Sequence, residues 1–373
     1  MKLVSLRLHH LEMPLVAPFT TSFSTQLVRR PLVVEARVQL DGDVVVGWGE
    51  CVAMDAPVYS AEYVDGAAEV IRRWIAPALF AAREFTAESV AEHLAPIVGH
   101  RMAKAAVEMA LLDAQLRHRD VSFGEYLGVT RTQVPSGVSV GIHASIPELL
   151  DTVGGYLDAG YARIKLKIEP GNDIEAVRAV RERFGDDLLL QVDANAAYTL
   201  ADATHLRRLD EFGLLLIEQP LGEEDLRQHA MLAARVSTPI CLDESIVSSA
   251  SAADAIAVGA AAIINIKPGR VGGYLEARRI HDLARANGVA AWCGGMLETG
   301  IGRAANIALA ALPGFTLPGD ISGSDRFFAR DITAEPIVMH DGVVDVPTGP
   351  GFGVEIDPGA LAASTVEVSE VAP

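Results

Sequence analysis

The chain has 373 residues, half of them apolar and 21% charged, enough for one barrel of about 250 residues plus a smaller unit. Its formal charge of −18 argues against nucleic acid and anionic membranes as partners, because both need a basic surface. Cys51, Cys241 and Cys293 are too few for a disulfide framework and read as buried, inert thiols. With an N-terminus broken by Arg7, His9, His10 and Glu12, and no apolar stretch fit to span a bilayer, they point to the cytoplasm.

The first fifty residues read as an antiparallel meander. Val4, Leu6 and Leu8 alternate with polar neighbours, and Asp41-Gly42 joins two β-rich runs as a hairpin turn. From about Ser60 to His118 the pattern is helical, with breaker-poor stretches at 61–79 and 102–116. After Val134, strands and helices alternate. Apolar runs fall at 137–142, 162–168, 188–192, 214–217, 239–242, 262–266, 289–293 and, more weakly, 315–317. Ser145 to Glu148 and Asn172 to Glu175 have the form of capping boxes, and Ile174, Val177, Val180 and Phe184 share one helical face. Eight strands with about seven helices read as an α/β protein, a TIM-like (β/α)7β barrel rather than a doubly wound sheet. The expected division is an α+β unit over 1–130, the barrel over 131–324, and a segment over 325–373 that packs back on the first unit.

Polar residues in the barrel region keep step with it. Lys165 and Lys167 end the second run, Asp193 and Asn195 the third, Glu218 the fourth, Asp243 and Glu244 the fifth, and Lys267 the sixth. From Lys167 through Asp193, Glu218 and Asp243 to Lys267 the intervals are 26, 25, 25 and 24 residues, the pitch of one βα unit. These groups are therefore expected at one height on the C-terminal rim, where barrel enzymes keep their active sites. A single acid or lysine at a strand end is usually just solvated; five in step are not.

Three carboxylates from adjacent strands make a hard oxygen site suited to Mg²⁺, and with no cysteine or histidine in the set zinc is disfavoured. Of ten histidines only His143 lies near a strand end, and it reads as exposed or supporting rather than as a ligand. Lys165 and Lys167, two apart on a strand, face the same way about 7 Å apart. Two such ammoniums are expected to depress each other's pKa toward the range of a working base. Lys267, four strands on in a ring of eight, stands across the pore. A carboxylate held between them presents its α-carbon to a base on each face, while metal and lysine stabilise the enediolate that forms. Gly269-Arg-Val-Gly272-Gly273 lacks the phosphate-loop patterns and reads as a tight turn after strand six.

The set Lys165-Leu-Lys167, Asp193-Ala-Asn195, Glu218-Gln-Pro, Asp243-Glu-Ser and Lys267-Pro-Gly resembles the muconate lactonising subgroup of the enolase superfamily. The stretches MPLVAPFTTSF, GWGECVAM, IKLKIEPG, WCGGMLETG and FTLPGDISGSDRFF are similar to those of actinobacterial N-acylamino acid (N-succinylamino acid) racemases, several of which are also o-succinylbenzoate synthases. The resemblance implies that the N-terminal unit caps the barrel and that the C-terminal tail completes it. It implies Mg²⁺, for which Mn²⁺ or Co²⁺ can substitute, on Asp193, Glu218 and Asp243, with Asn195 and Glu244 supporting the ligands and contact of Glu244 with the metal left open. Lys167 and Lys267 become the bases on the two faces, and Lys165 tunes Lys167. Phe19, Ser22 and Phe23 fall in a mobile loop over the substrate, Met54 and Tyr59 in a wall from the cap, and Gly295, Met296 and Leu297 near the acyl group. The reaction implied is racemisation of N-acyl or N-succinyl amino acids, syn dehydration to o-succinylbenzoate in menaquinone synthesis, or both, on a small-molecule carboxylate in a homo-oligomer. Dipeptide epimerase and muconate cycloisomerase are the alternatives within the subgroup. A Schiff-base aldolase using Lys167 or Lys267 leaves three rim carboxylates unexplained, and a non-catalytic metal-binding barrel gives no reason for opposed lysines.

Overall fold

The hairpin expected at Asp41-Gly42 is present. Leu40 pairs with Asp43, and Asp41 and Gly42 both adopt positive φ (49° and 101°), the backbone that matches the twist of the flanking strands. The structure, a computed structural model, describes residues 1–21 and 24–373, so Ser22 and Phe23 lie outside the described residues. Strands Lys2–Leu11, Leu32–Leu40 and Asp43–Cys51 form an antiparallel sheet, which Thr365–Val371 from the C-terminal segment extends against Lys2–Leu11. The simple alternation expected at the N-terminus is broken. The register shifts between Leu3 and Ser5, so Leu3, Leu6 and Leu8 face the core while Val4 is exposed. Helix Arg101–His118 lies on this sheet at Gly47 and Gly49, where a Cβ would overlap the helix backbone at Ala110 and Ala106. The helical region preceding it starts at Val64 rather than 61, because Tyr63 bridges to Met54.

The second layer is a seven-stranded parallel sheet that runs Gly137–Val140, Arg163–Lys167, Leu190–Asp193, Ile217–Glu218, Ile240–Leu242, Ile263–Ile266 and Ala290–Cys293, in chain order across the sheet. Residues 315–320 hold the eighth position. Phe315 bridges to Ala291 and Gly319 to Ser136, both parallel, and Gly137 N donates to Gly319 O at 2.8 Å. The weak eighth run thus spans the gap between the first and last strands as single bridges rather than a full ladder. Among the intervening helices, Ile146–Asp158 begins at Ser145, whose hydroxyl accepts from Glu148 N, as expected. Helix Ile174–Phe184 is capped one residue later than expected, by Asp173 Oδ1 accepting from Ile174 N at 2.5 Å. Gly272 and Gly273 make the tight turn after strand six, with φ of 102° and 140°, but Pro268–Val271 forms one helical turn before it.

Two buried acids join cap to barrel. Glu50 accepts from Thr299 N and Oγ1 (3.0 and 2.7 Å) and from Gly302 N, at the start of helix Gly300–Ala310. Glu108, on the long cap helix, accepts from Tyr274 N at 2.6 Å and Leu275 N at 3.2 Å, at the start of helix Tyr274–Ala286. Burial pushes their carboxyls up to about 7 and about 8. Cys51, Cys241 and Cys293 are free and buried, as expected, and burial raises the Cys51 thiol to about 12. Among the described residues no helix is long and apolar enough to cross a membrane.

Candidate active site

The strand ends converge as their spacing requires, with one refinement. Lys167 pairs with Asp193 and Asp193 with Glu218, so these three share a rung. Glu218, however, pairs with Cys241, and Asp243 lies two residues further on. From strand four onward the rim residues climb the ladder because barrel strands are tilted, so equal height on the rim is not equal register. The backbone is strained at this rim. Asn195 (φ 42°), Ala196 (64°), Gln219 (35°) and Leu297 (59°) hold left-handed conformations just past strands three, four and seven.

Opposite charges are tightly interleaved. Lys167 Nζ donates to Asp193 Oδ2 and Asn195 Oδ1, both at 2.6 Å. Lys165 Nζ lies 2.6 Å from Asp320, 3.1 Å from Glu218 and 3.2 Å from Asp193, over the Trp292 ring (4.9 Å to its centroid). Lys267 Nζ donates to Asp243 Oδ2 at 2.7 Å and to Tyr59 OH at 3.1 Å, and Arg270 contacts the other Asp243 oxygen. Asn195 Nδ2 donates to Glu244 at 2.9 Å, and Asn265 Nδ2 to Glu218 at 2.8 Å. All four carboxylates at strand ends three to five are buried.

This interleaving overturns the expected depression of Lys165. Burial lowers its pKa, but Asp320, Glu218 and Asp193 outweigh burial and hold the ammonium above its ordinary value. Lys267 is likewise raised: burial lowers it, and Tyr59, Glu244 and Glu218 more than offset that. Asp193, though buried, is held down to about 2 by Lys167 and Lys165, whereas burial and the Asp193 charge raise Glu218, and raise Glu244 to about 6. For Lys165 the carboxylates of Asp320, Glu218 and Asp193, at 2.6 to 3.2 Å, decide the sign.

A cavity opens over these groups and gathers most of the expected pocket residues: Phe19, Met54, Tyr59, Gly295, Met296 and Leu297, with Lys165, Lys167, Lys267 and Asn195. His143 lines a separate cleft behind Lys167. Several lining residues were not singled out from the sequence: Asp320, Ser139, Glu298, Arg326 and Phe327. The strand-end rule, applied to the weak eighth run, would have pointed to Asp320; Arg270, Asn265 and Trp292 carried no comparable signal.

Among the described residues no three of His, Cys, Asp and Glu stand close enough together to hold a metal, the ammoniums lying between the carboxylates instead. The donor chemistry nonetheless fits a hard divalent cation. Four buried carboxylates end three consecutive strands, two of them raised by burial and by a neighbouring carboxylate, and Glu244 Oε2 is buried with no hydrogen-bond partner.

A parallel barrel with acids and lysines on its C-terminal mouth, roofed by an antiparallel cap, defines a capped barrel enzyme that works on small molecules. The chain matches the mandelate racemase/muconate lactonizing enzyme N-terminal domain over residues 4–128 and the enolase C-terminal domain-like family over residues 148–360. It belongs to the mandelate racemase/muconate lactonizing enzyme group of the enolase superfamily, and membership implies a divalent metal and a small carboxylate substrate. It is 65% identical, over 95% of each chain, to an N-succinylamino acid racemase of Amycolatopsis, and 46% identical to an o-succinylbenzoate synthase of Geobacillus kaustophilus, over 94% of this chain and 92% of that one. A crystal structure of an enolase superfamily member from Listeria innocua superposes with a TM-score of 0.95 at 40% identity, covering 100% of this chain and 99% of that one.

Proposed function

We propose that the enzyme racemises N-succinyl and other N-acyl amino acids by moving the α-proton between opposite faces, and that the same first step serves dehydration to o-succinylbenzoate. The observation that carries this reading is the pair of lysines, half-buried Lys167 and buried Lys267, which line one cavity from the ends of strands two and six. The similarity to an N-succinylamino acid racemase and to o-succinylbenzoate synthases supports the substrate class.

In this reading Asp193, Glu218 and Asp243 hold Mg²⁺, with Glu244 and Asn195 beside them. The cation, when bound, supplies positive charge to the substrate carboxylate as the α-proton leaves. Lys167 takes that proton on one face and Lys267 returns one on the other, or the reverse for the other enantiomer. Lys165, held by Asp320 and Glu218, stays charged and stabilises the developing enolate oxygen. Tyr59 and Met54 from the cap exclude water on the Lys267 side.

The test is ¹H NMR in D₂O of N-succinylphenylglycine with the enzyme and Mg²⁺, against an EDTA control. Metal-dependent loss of the α-proton signal together with optical rotation is expected. Retention of both signals refutes racemisation, and assay of the cyclohexadiene precursor for o-succinylbenzoate formation then decides the dehydration half.

A further inference from the structure

Gln219 follows Glu218 at the end of strand four and is fully buried, yet it does not line the active-site cavity and proton transfer does not use it. Glu218 pairs with Cys241, so Gln219 stands opposite Leu242 in the parallel ladder. In such a ladder its N–H donates to the residue before Leu242, and its carbonyl accepts from the residue after. The first bond is made: Gln219 N donates to Cys241 O at 2.8 Å. The second is not. With a left-handed φ of 35°, Gln219 presents its carbonyl to strand three instead, where it accepts from Ala196 N at 2.8 Å.

That turn takes from Asp243 N the acceptor the ladder would provide, and a buried N–H left without one is costly. The Gln219 side chain supplies the replacement. Its Oε1 accepts from Asp243 N at 3.1 Å and from Ser245 N at 3.2 Å. Its Nε2 donates to Ser245 Oγ at 2.8 Å and to Leu221 O at 3.1 Å, and Ser245 Oγ donates onward to Glu223 O at 2.6 Å. Only this orientation of the amide sets its oxygen against two N–H donors and its nitrogen against a carbonyl. One residue thus ties together the segments that follow strands three, four and five, the strands whose ends carry Asp193, Glu218, Asp243 and Glu244.

We propose that Gln219 is a positioning residue. Its side-chain amide replaces the missing rung of the barrel ladder and sets the direction in which Asp243 and Glu244 leave strand five, so that the carboxylates stand ready for a cation before it arrives. The proposal rests on the reading that Asp193, Glu218 and Asp243 hold a divalent metal, and adds the group that aims one of them. It also gives a task to the glutamine of Glu218-Gln-Pro and the serine of Asp243-Glu-Ser.

The experiment titrates Mn²⁺ calorimetrically into metal-free wild type, Q219L, S245A and S248A, with no substrate present, and records Tm for each. Leucine fills the space of Gln219 but leaves Asp243 N and Ser245 N without an acceptor. S248A is the control for general loosening, since Ser248 caps helix Ser249–Ala257 and holds none of these groups. Q219L should bind Mn²⁺ about ten- to a hundredfold more weakly than wild type, the usual cost of removing a group that orients a metal ligand. S245A should lose several-fold, and S248A should stay within twofold of wild type whatever its Tm. If Q219L does not fold, S245A against S248A carries the comparison. Affinity within twofold of wild type in folded Q219L, or an equal loss in S248A, overturns the proposal. If wild type binds no Mn²⁺, the metal reading fails instead, and crystal structures of wild type and Q219L decide the positioning: Asp243 turned away from Lys267 Nζ, 2.7 Å from it in the native chain, upholds it, and Asp243 unmoved overturns it.

Discussion

Glu108 allows a sharp test of how the cap holds the barrel. Its carboxyl is fully buried, accepts from Tyr274 N and Leu275 N, and is raised from 4.5 to about 8 by burial. A carboxyl whose folded-state pKa lies above its unfolded value favours the folded state at low pH. Stability is lost as pH rises between the two values, because the unfolded chain then releases a proton that the folded chain keeps. The slope is about 1.4 kcal/mol per pH unit for one such group, so the loss from pH 5 to pH 8 approaches about 4 kcal/mol. With roughly 2.1 cal/mol/K of unfolding entropy per residue, a chain of this length converts that into about 5 °C of Tm. Glu50, raised to about 7, adds a shorter loss of the same sign. In E108Q the neutral amide keeps an acceptor for the two N–H groups but cannot titrate. The Tm difference between E108Q and wild type, measured by calorimetry, should therefore grow in favour of E108Q by about 5 °C from pH 5 to pH 8. A difference constant across that range would refute the assignment of a protonated acid at the cap–barrel junction.

G273A combines a φ of 140° with a Cβ that overlaps the Glu108 carboxylate, so it should lower Tm by several degrees and disturb the turn that carries Lys267; an unchanged melting curve would contradict the steric reading. D320N removes the acid shared by Lys165 and the fully buried Arg163 (2.6 and 2.8 Å), which should cost about 3–5 kcal/mol of stability and lower kcat, read by denaturant titration and turnover.

The rim was legible because a βα pitch of about 25 residues marks strand ends, and acids or lysines following buried apolar runs stand out. The turn at Asp41-Gly42 was legible because two positive φ values restrict the residues that fit. What escaped depends on contacts between distant segments. Asp320 sits after a run that forms only isolated bridges, so the strand-end rule had little to hold. Arg270 and Trp292 reach the site only because the barrel curls. The direction of the Lys165 shift escaped for the same reason: its dominant partners come from strands four and eight, and no local pattern reports their distance. The cap of helix Ile174–Phe184 slipped by one residue because Asn172 and Asp173 offer equivalent side chains.

The central claim is that Lys167 and Lys267 serve opposite faces of one substrate, and single-lysine variants test it most directly. α-Proton exchange in D₂O should be followed for each enantiomer of N-succinylphenylglycine with wild type, K167A and K267A, all with Mg²⁺. Wild type should exchange both enantiomers, K167A should lose exchange of one while keeping the other, and K267A should show the reverse. Exchange of both enantiomers at the wild-type rate in either variant would contradict the two-faced mechanism.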